Sequence, residues 1–424
     1  MPLHSNWLHL PVFFLLVYWL WRSLGKPEQK PLIFWSALLL KLVCGILLGW
    51  LYLTYLPGGD TWGYHKQAAV VANWATDNPV DYLRFLIFNE HVPLQIRFKE
   101  FSNTFFFLKP LSLLHLFTGN SYWGSSLYLS LFSFWGCWFL VSHLRRHFPQ
   151  FGTAATISFL FFPSVVFWTS GVTKDSVLMG SLCFTIGLFL QILKQEQPKP
   201  FYKYLLLIPA IWLLWRIKFF LAAVLIVLMV THLLLKTITQ RVVWLQSKER
   251  QLLAWSALMS GGAFVASFAH PTFNLSFFVR HIVWNYRNIM AVSDPEKPLL
   301  VVYKLQPSLW SVIQNAPSAL LQMVFRPFIW EPAPLFYKLA GIENLLIALL
   351  VVVAITNLVR HKKFPSLPAF LGVLLLFFVI GGVLVSLPTP NFGSLHRYRA
   401  PLLPFFLLPI LAWGPVPQWL RKLL

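Results

Sequence analysis

The sequence predicts an all-α polytopic membrane protein with about ten or eleven transmembrane helices and two large extracytoplasmic loops that carry interfacial helices. Three observations carry that prediction. The 424-residue chain is 57% hydrophobic and 17% aromatic but only 11% charged, whereas a soluble domain carries charge on about a quarter of its residues. Its mean hydropathy is +0.65. Apolar runs of span length alternate with short basic clusters along the whole chain, as insertion under the positive-inside rule requires.

The elements follow in order. Trp7 to Trp21 is apolar but short, and either crosses or lies in the interface; the absence of Lys or Arg before it argues against a cleaved signal peptide. Arg22, Lys26 and Lys30 follow. Pro31 to Leu56 is the second span and contains Lys41, which is expected to snorkel or to face a cavity. The polar segment 57–120 is the first outer loop. Within it Phe105 to Phe117 is too short to span and reads as an interfacial piece broken at Lys109-Pro110. Ser121 to Leu144, Thr153 to Trp168 and Ser176 to Leu193 supply three more spans.

Tyr204 to Leu235 is too long for one span and is interrupted by Trp215-Arg216-Ile217-Lys218, which predicts a hairpin of two short arms with Arg216 and Lys218 at its tip. Gln251 to Ala269 delivers the second outer loop, 270–340. Gly341 to Val359, Pro368 to Leu387 and Ala400 to Trp413 complete the set. The basic segments 22–30, 145–147, 194–203, 236–250, 360–363 and 421–422 then all fall on one side, with the N-terminus outside and the C-terminus inside. This is one integral membrane domain over 1–424, without internal repeats. Cys44, Cys137 and Cys183 lie scattered in apolar runs and form neither a disulfide framework nor a metal motif.

The formal net charge of +21 comes from 34 Lys and Arg against 13 acids. No basic stripe interleaved with aromatics stands outside the spans, so nucleic acid is not the expected partner. Topology accounts for the cytoplasmic share of the charge. The outer share points to membrane lipids or a phosphate-bearing ligand. Of the acids, Glu28, Glu196 and Glu249 are cytoplasmic. The others, Asp60, Asp77, Asp81, Glu90, Glu100, Asp175, Asp294, Glu296, Glu331 and Glu343, map to the outer face or just below it. A carboxylate base would therefore work outside, out of reach of cytoplasmic nucleotides. No Walker loop, Rossmann glycine fingerprint or HExxH motif is present.

Two groups of residues could carry chemistry. The first is Pro57-Gly58-Gly59-Asp60-Thr61-Trp62-Gly63-Tyr64-His65-Lys66. Asp60 is placed to cap a helix over 61–75, Tyr64 lies one turn on and His65 beside it, setting a carboxylate, a phenol and an imidazole at the membrane surface. The second is basic: Lys174 with Asp175 in a short turn, Arg216 and Lys218 at the hairpin tip, Arg326 near Glu331, and His396, Arg397 and Arg399 before the last span. Guanidinium groups bind phosphate oxygens in bidentate fashion. Each also has a plainer role available, as with Lys174 beside Asp175 or Arg326 beside Glu331.

An aspartate opening the first large outer loop, amphipathic surface helices after it, and an Arg-Tyr-x-x-Pro-x-x-Pro pattern opening a late span together resemble the C-type superfamily of integral membrane glycosyltransferases, which includes protein O-mannosyltransferases and the lipid A aminoarabinose transferase. Here the last pattern is approximated by Arg397-Tyr398-Arg399-Ala400-Pro401-Leu402-Leu403-Pro404. Ser170 to Asp175 and Phe325 to Glu331 also look like segments of bacterial membrane proteins from polysaccharide clusters.

The resemblance implies transfer of a sugar from a polyprenyl-phosphate-linked donor to a lipid or glycan acceptor, outside the cytoplasm at the bacterial inner membrane, with Asp60 as general base. The chain departs from the best-known members in having no second acid adjacent to Asp60, so no cofactor is expected and a divalent metal is not evident. The alternatives are a polymerase or ligase of lipid-linked polysaccharide, centred on His396, and a non-enzymatic lipid or glycan transporter.

Overall fold

The computed structural model describes residues 8–25, 30–56, 59–90, 96–100, 102–194, 201–269, 274–361 and 366–416. The expected features at Pro57, Gly58, Lys26, Glu28, Glu196, Lys199, Lys362, Lys363, Arg421 and Lys422 lie outside them. Among the described residues there is no β-strand, only an isolated antiparallel bridge between Leu299 and Asn391. The chain is an all-α polytopic membrane protein. Among the described residues six helices are long and apolar enough to cross a membrane. The fold divides into two compact units, residues 1–219 and 220–423, each taken here by itself.

The first unit contains α1 (His9–Leu20), α2 (Pro31–Thr54), α3 (Asp60–Asp77), α4 (Pro79–Phe88), α5 (Asn103–Thr118), α6 (Tyr122–His147), the short α7 (Gly152–Thr156) and α8 (Pro163–Trp168), and α9 (Lys174–Leu193). It ends with the first arm of α10 (Phe201–Thr239). Helix α2 shows how sequence sets burial. Phe34, Ala37, Leu38, Lys41, Cys44, Gly45, Leu48 and Gly49 recur at helical spacing and are buried. The opposite face, with Trp35, Leu39, Ile46, Trp50 and Leu53, is equally apolar but exposed, which suits a helix with lipid on that side. Phe34 meets Phe134 and Trp138 of α6 edge to face, with centroids 5.2 and 4.9 Å apart.

Helices α6 and α9 approach most closely where glycine faces glycine. A β-carbon at Gly136 would lie 2.8 Å from the Gly180 Cα and closer still to its carbonyl oxygen. Small residues permit this approach, and within a membrane such packing takes over the role that the hydrophobic effect has in water.

Several expectations are corrected. Lys41 does not snorkel: it is buried, and its Nζ donates to Thr169 Oγ1 (2.5 Å) and toward the Val166 carbonyl (3.5 Å). Val166 lies in the last turn of α8, where the helix dipole favours a cation. The 105–117 piece is not broken at Lys109-Pro110. It belongs to one helix, Asn103–Thr118, capped by Ser102 Oγ accepting from the Phe105 N–H, with Pro110 inside. Proline there removes one backbone donor without ending the helix. The Thr153 to Trp168 run is divided into α7, a π-turn over Ile157–Phe161, and α8 restarting at Pro163. The break expected at 215–218 falls on Lys218 itself (φ −145°, ψ 83°), with helix on both sides. The Ser170 to Asp175 segment is the turn into α9. Gly171 adopts φ +71° there and donates its N–H to Ser130 Oγ (2.9 Å), a conformation that favours glycine.

The second unit comprises the rest of α10, α11 (Lys248–Ala269), α12 (Leu275–Val292), α13 (Leu309–Phe325), α14 (Leu335–His361), α15 (Ala369–Ser386), α16 (Phe392–Arg399) and α17 (Leu403–Trp413). Helices α13 to α17 pack on one another. Between α15 and α16 the chain is fixed by the Leu300 N–H donating to the Pro390 carbonyl (2.8 Å).

Replacing Gly136 with valine should force α6 from α9, because the obstructing atoms are backbone. Overpacking of this kind costs about 1–3 kcal/mol. A thermal melt of the purified variant in detergent should show a clear drop in Tm, and an unchanged Tm would remove the close α6–α9 contact from this account.

Candidate functional site

Helix α3 opens with Gly59 as an extended N-cap (φ −70°, ψ 166°). Asp60 is thus the first helical residue and not the cap. It is exposed, with its carboxylate at the positive end of the helix dipole. Tyr64 and His65 are consecutive, so the helix turns them about 100° apart. Tyr64 is buried against Phe98 and Phe107, with ring centroids 5.9 and 5.4 Å away. His65 points instead to Trp62, Tyr122 and His115. The phenol and the imidazole therefore serve different neighbours.

Tyr64 leads to a cationic junction. Lys174 Nζ sits 5.4 Å from the Tyr64 ring centroid and donates to Asn103 Oδ1 (3.2 Å) and Thr104 Oγ1 (2.8 Å) at the start of α5. Asn103 Nδ2 donates to the Ile217 carbonyl (3.1 Å), the group stranded by the break at Lys218. Lys218 Nζ lies 3.8 Å from the buried Asp175 carboxylate. Thr173 Oγ1 caps α9 by accepting from the Ser176 N–H (3.1 Å), which fixes Lys174 and Asp175 in its first turn. The Arg216 guanidinium packs over Phe106 at 4.9 Å. Burial, and then the charge of Arg216, lowers the Lys109 ammonium to about 8. Lys109 donates to the Leu86 carbonyl at 2.7 Å.

The structure therefore brings Tyr64, Lys174, Asp175, Arg216 and Lys218 to one junction of α3, α5, α9 and the α10 break. Asp60 stands one turn before Tyr64 on the helix that contributes to it.

The remaining candidates belong to the second unit and are engaged internally. Arg326 grips Glu331 with two hydrogen bonds (Nε–Oε1 2.8 Å, Nη2–Oε2 2.7 Å) and donates to Gln322 Oε1 (2.8 Å). The Glu331 carboxyl is held below its usual range despite burial, by Arg326 and by the Phe328 N–H. Arg399 is fully buried. Its Nη1 donates to the Met323 and Val324 carbonyls (2.6 and 3.0 Å), and its Nη2 to Asn344 Oδ1 and Glu343 Oε1 (2.6 and 3.2 Å). His396 Nε2 lies 3.9 Å from the same Glu343 oxygen, and burial pushes the imidazole well below its ordinary pKa. Arg397 packs over Tyr398 at 5.0 Å. Arg326 thus closes the turn after α13, and Arg399 ties α16 to α13 and α14, uses that leave few donors for a ligand.

The sequence missed Asn103, Thr104, Lys109 and His115. The available signals were a Ser-Asn-Thr cap pattern before an apolar run and two ionisable residues within that run. Among the described residues no three His, Cys, Asp or Glu side chains converge as metal ligands would. No family model, curated protein or solved structure matches this chain.

The paired imidazoles set a pH dependence. Burial, then Lys66, lowers His65 to about 4. Burial, then His65, lowers His115 to about 3. An unfolded histidine titrates near 6.5, so the folded state binds fewer protons below that value. The stability that these groups contribute is whole above pH 6.5 and declines as pH falls toward 4. A thermal melt at pH 7 and at pH 5 should show the parent losing more Tm than a His65→Gln/His115→Gln double variant. Equal losses would contradict the buried, neutral pair.

Proposed function

We propose that this protein is an extracytoplasmic membrane glycosyltransferase that moves a sugar from a polyprenyl-phosphate-linked donor to a lipid or glycan acceptor. One observation carries the proposal: Lys174, Arg216 and Lys218 gather at one junction with Tyr64 and with the buried Asp175, whose carboxylate lies 3.8 Å from Lys218 Nζ, beside the helix opened by Asp60. Lysine serves as a point charge for a phosphate and arginine as a bidentate donor to it. The apolar, exposed surface of helices such as α2 suits a protein whose donor carries a long isoprenoid chain.

In this mechanism the acceptor hydroxyl oxygen attacks the anomeric carbon of the donor. The Asp60 carboxylate takes the hydroxyl proton, and the bond from the anomeric carbon to the phosphate oxygen breaks. The electron pair leaves with the phosphate, which Lys174 and Lys218 stabilise as its charge grows. Attack opposite the leaving group inverts the anomeric centre. The C-type superfamily resemblance supports the same assignment of Asp60. An outer-face site in the bacterial inner membrane belongs to this proposal too.

The test is transfer from polyprenyl-phosphate sugars by purified protein in lipid nanodiscs. Asp60→Asn should fold as the parent does, since the residue is exposed, and should lose about 10²–10⁴-fold in rate, the usual contribution of a positioned base. Lys174→Met should raise KM for the donor and lower kcat together. Parental rates in both variants would refute the assignment.

A further inference from the structure

The first unit contains a second arrangement of proton-bearing groups that the transfer mechanism above does not use. His65 Nδ1 lies 2.8 Å from Nε2 of His115. His115 is fully buried, and its Nδ1 lies 3.1 Å from Ser125 Oγ. Ser125 Oγ is in turn 3.3 Å from Thr118 Oγ1, which donates to the Leu114 carbonyl at 2.8 Å. Helices α3, α5 and α6 thus share one continuous chain of hydrogen bonds.

Proton counting gives the chain a direction. The Thr118 hydroxyl proton goes to the Leu114 carbonyl, which leaves its oxygen to accept from Ser125. With its only proton engaged there, Ser125 Oγ accepts from Nδ1–H of His115. Nε2 of His115 then carries a lone pair and accepts from Nδ1–H of His65. Nε2 of His65 is left as a lone pair. His65 is only half-buried, its Nε2 makes no hydrogen bond among the described residues, and the ring is steadied by Trp62 and Tyr122 at 5.4 and 5.5 Å. Trp62 is itself fixed by stacking on Tyr122 (4.1 Å, 9°) and by donating to the Gly49 carbonyl (2.9 Å).

We propose that His65 presents Nε2 as a hydrogen-bond acceptor for a hydroxyl of the sugar substrate or acceptor, and that buried His115 is the positioning residue that holds it in this tautomer. A bare, oriented nitrogen backed by a buried chain is how a histidine is set as an acceptor, because the bond at one nitrogen decides the state of the other. A neutral imidazole suits a polyol hydroxyl better than it suits a phosphate, which the Lys174 junction serves. The inference rests on the sugar-transfer proposal for the identity of its ligand, while its geometry stands apart from it.

The experiment combines a spectroscopic and a kinetic measurement on the full chain in nanodiscs. Histidine ¹⁵N shifts, assigned with His65→Gln, should show His65 protonated at Nδ1 and bare at Nε2, the less common form of a neutral imidazole. His115→Leu should release His65 to the common Nε2–H form. His115→Gln, whose amide oxygen can accept from Nδ1–H, should restore the parental pattern. In the transfer assay His65→Gln and His115→Leu should each lower kcat/KM by about 10²-fold, with His115→Gln recovering most of it and all three keeping a parental melting profile at pH 7. An Nε2–H tautomer in the parent, or parental kcat/KM in His65→Gln and His115→Leu, would overturn the inference. A parent that transfers no sugar under any donor would instead overturn the proposed function.

Discussion

The close approach of α6 and α9 at Gly136 and Gly180 is the contact on which the first unit depends. It fixes where α9 begins, and with it the Thr173 cap, Lys174 and Asp175. The positions of Lys174 and Asp175 in turn let Asn103 bridge α5 to the Ile217 carbonyl and let Lys218 reach Asp175 at the α10 break. Two glycines inside a membrane-spanning pair therefore set the geometry of a polar junction at its end. Glycine at both positions is a packing requirement imposed by backbone atoms that cannot move aside.

A second constraint runs through both units. With 34 basic side chains and 13 acidic ones, carboxylates cannot pair every cation. Neutral oxygens do much of the work instead. Lys41 uses Thr169, Lys109 uses the Leu86 carbonyl, Lys174 uses Asn103 and Thr104, and Arg399 uses two carbonyls and Asn344 besides Glu343. Burying a cation is costly unless its donors are satisfied, and these partners meet part of that need, although Arg399 Nε stays buried without a hydrogen bond. Part of the excess positive charge is thus structural.

What was legible in the sequence is what depends on local pattern. Pro31 to Leu56 announces α2 by length and apolarity, Ser121 to Leu144 announces α6, and Trp215 to Lys218 announces a break in a run too long for one span. What was not legible depends on distant partners. Pro110 reads locally as a helix breaker, yet α5 continues through it. Lys41 reads as a residue that either snorkels or faces the interior, and Thr169, far along the chain, decides for the interior. Asp60, Tyr64 and His65 read as one cluster by their spacing, whereas α5 draws Tyr64 and His65 to different sites two turns apart. Nothing in the 105–117 run marks His115 as the partner of His65. Arg326 and Arg399 look like ligands for phosphate by residue type, and only the folded second unit shows their donors turned inward.

The proposed site at the Asp60 end of α3, with Tyr64 and the Lys174 junction, is expected to work outside the cytoplasm. Cysteine accessibility tests it most directly, because Cys44, Cys137 and Cys183 are buried and an introduced thiol can be read against that background. Asp60→Cys should react with a membrane-impermeant maleimide in intact cells, whereas Arg146→Cys at the opposite end of α6 should react only after permeabilisation. Labelling of the Arg146 position in intact cells, with the Asp60 position silent until the membrane is opened, would contradict the account.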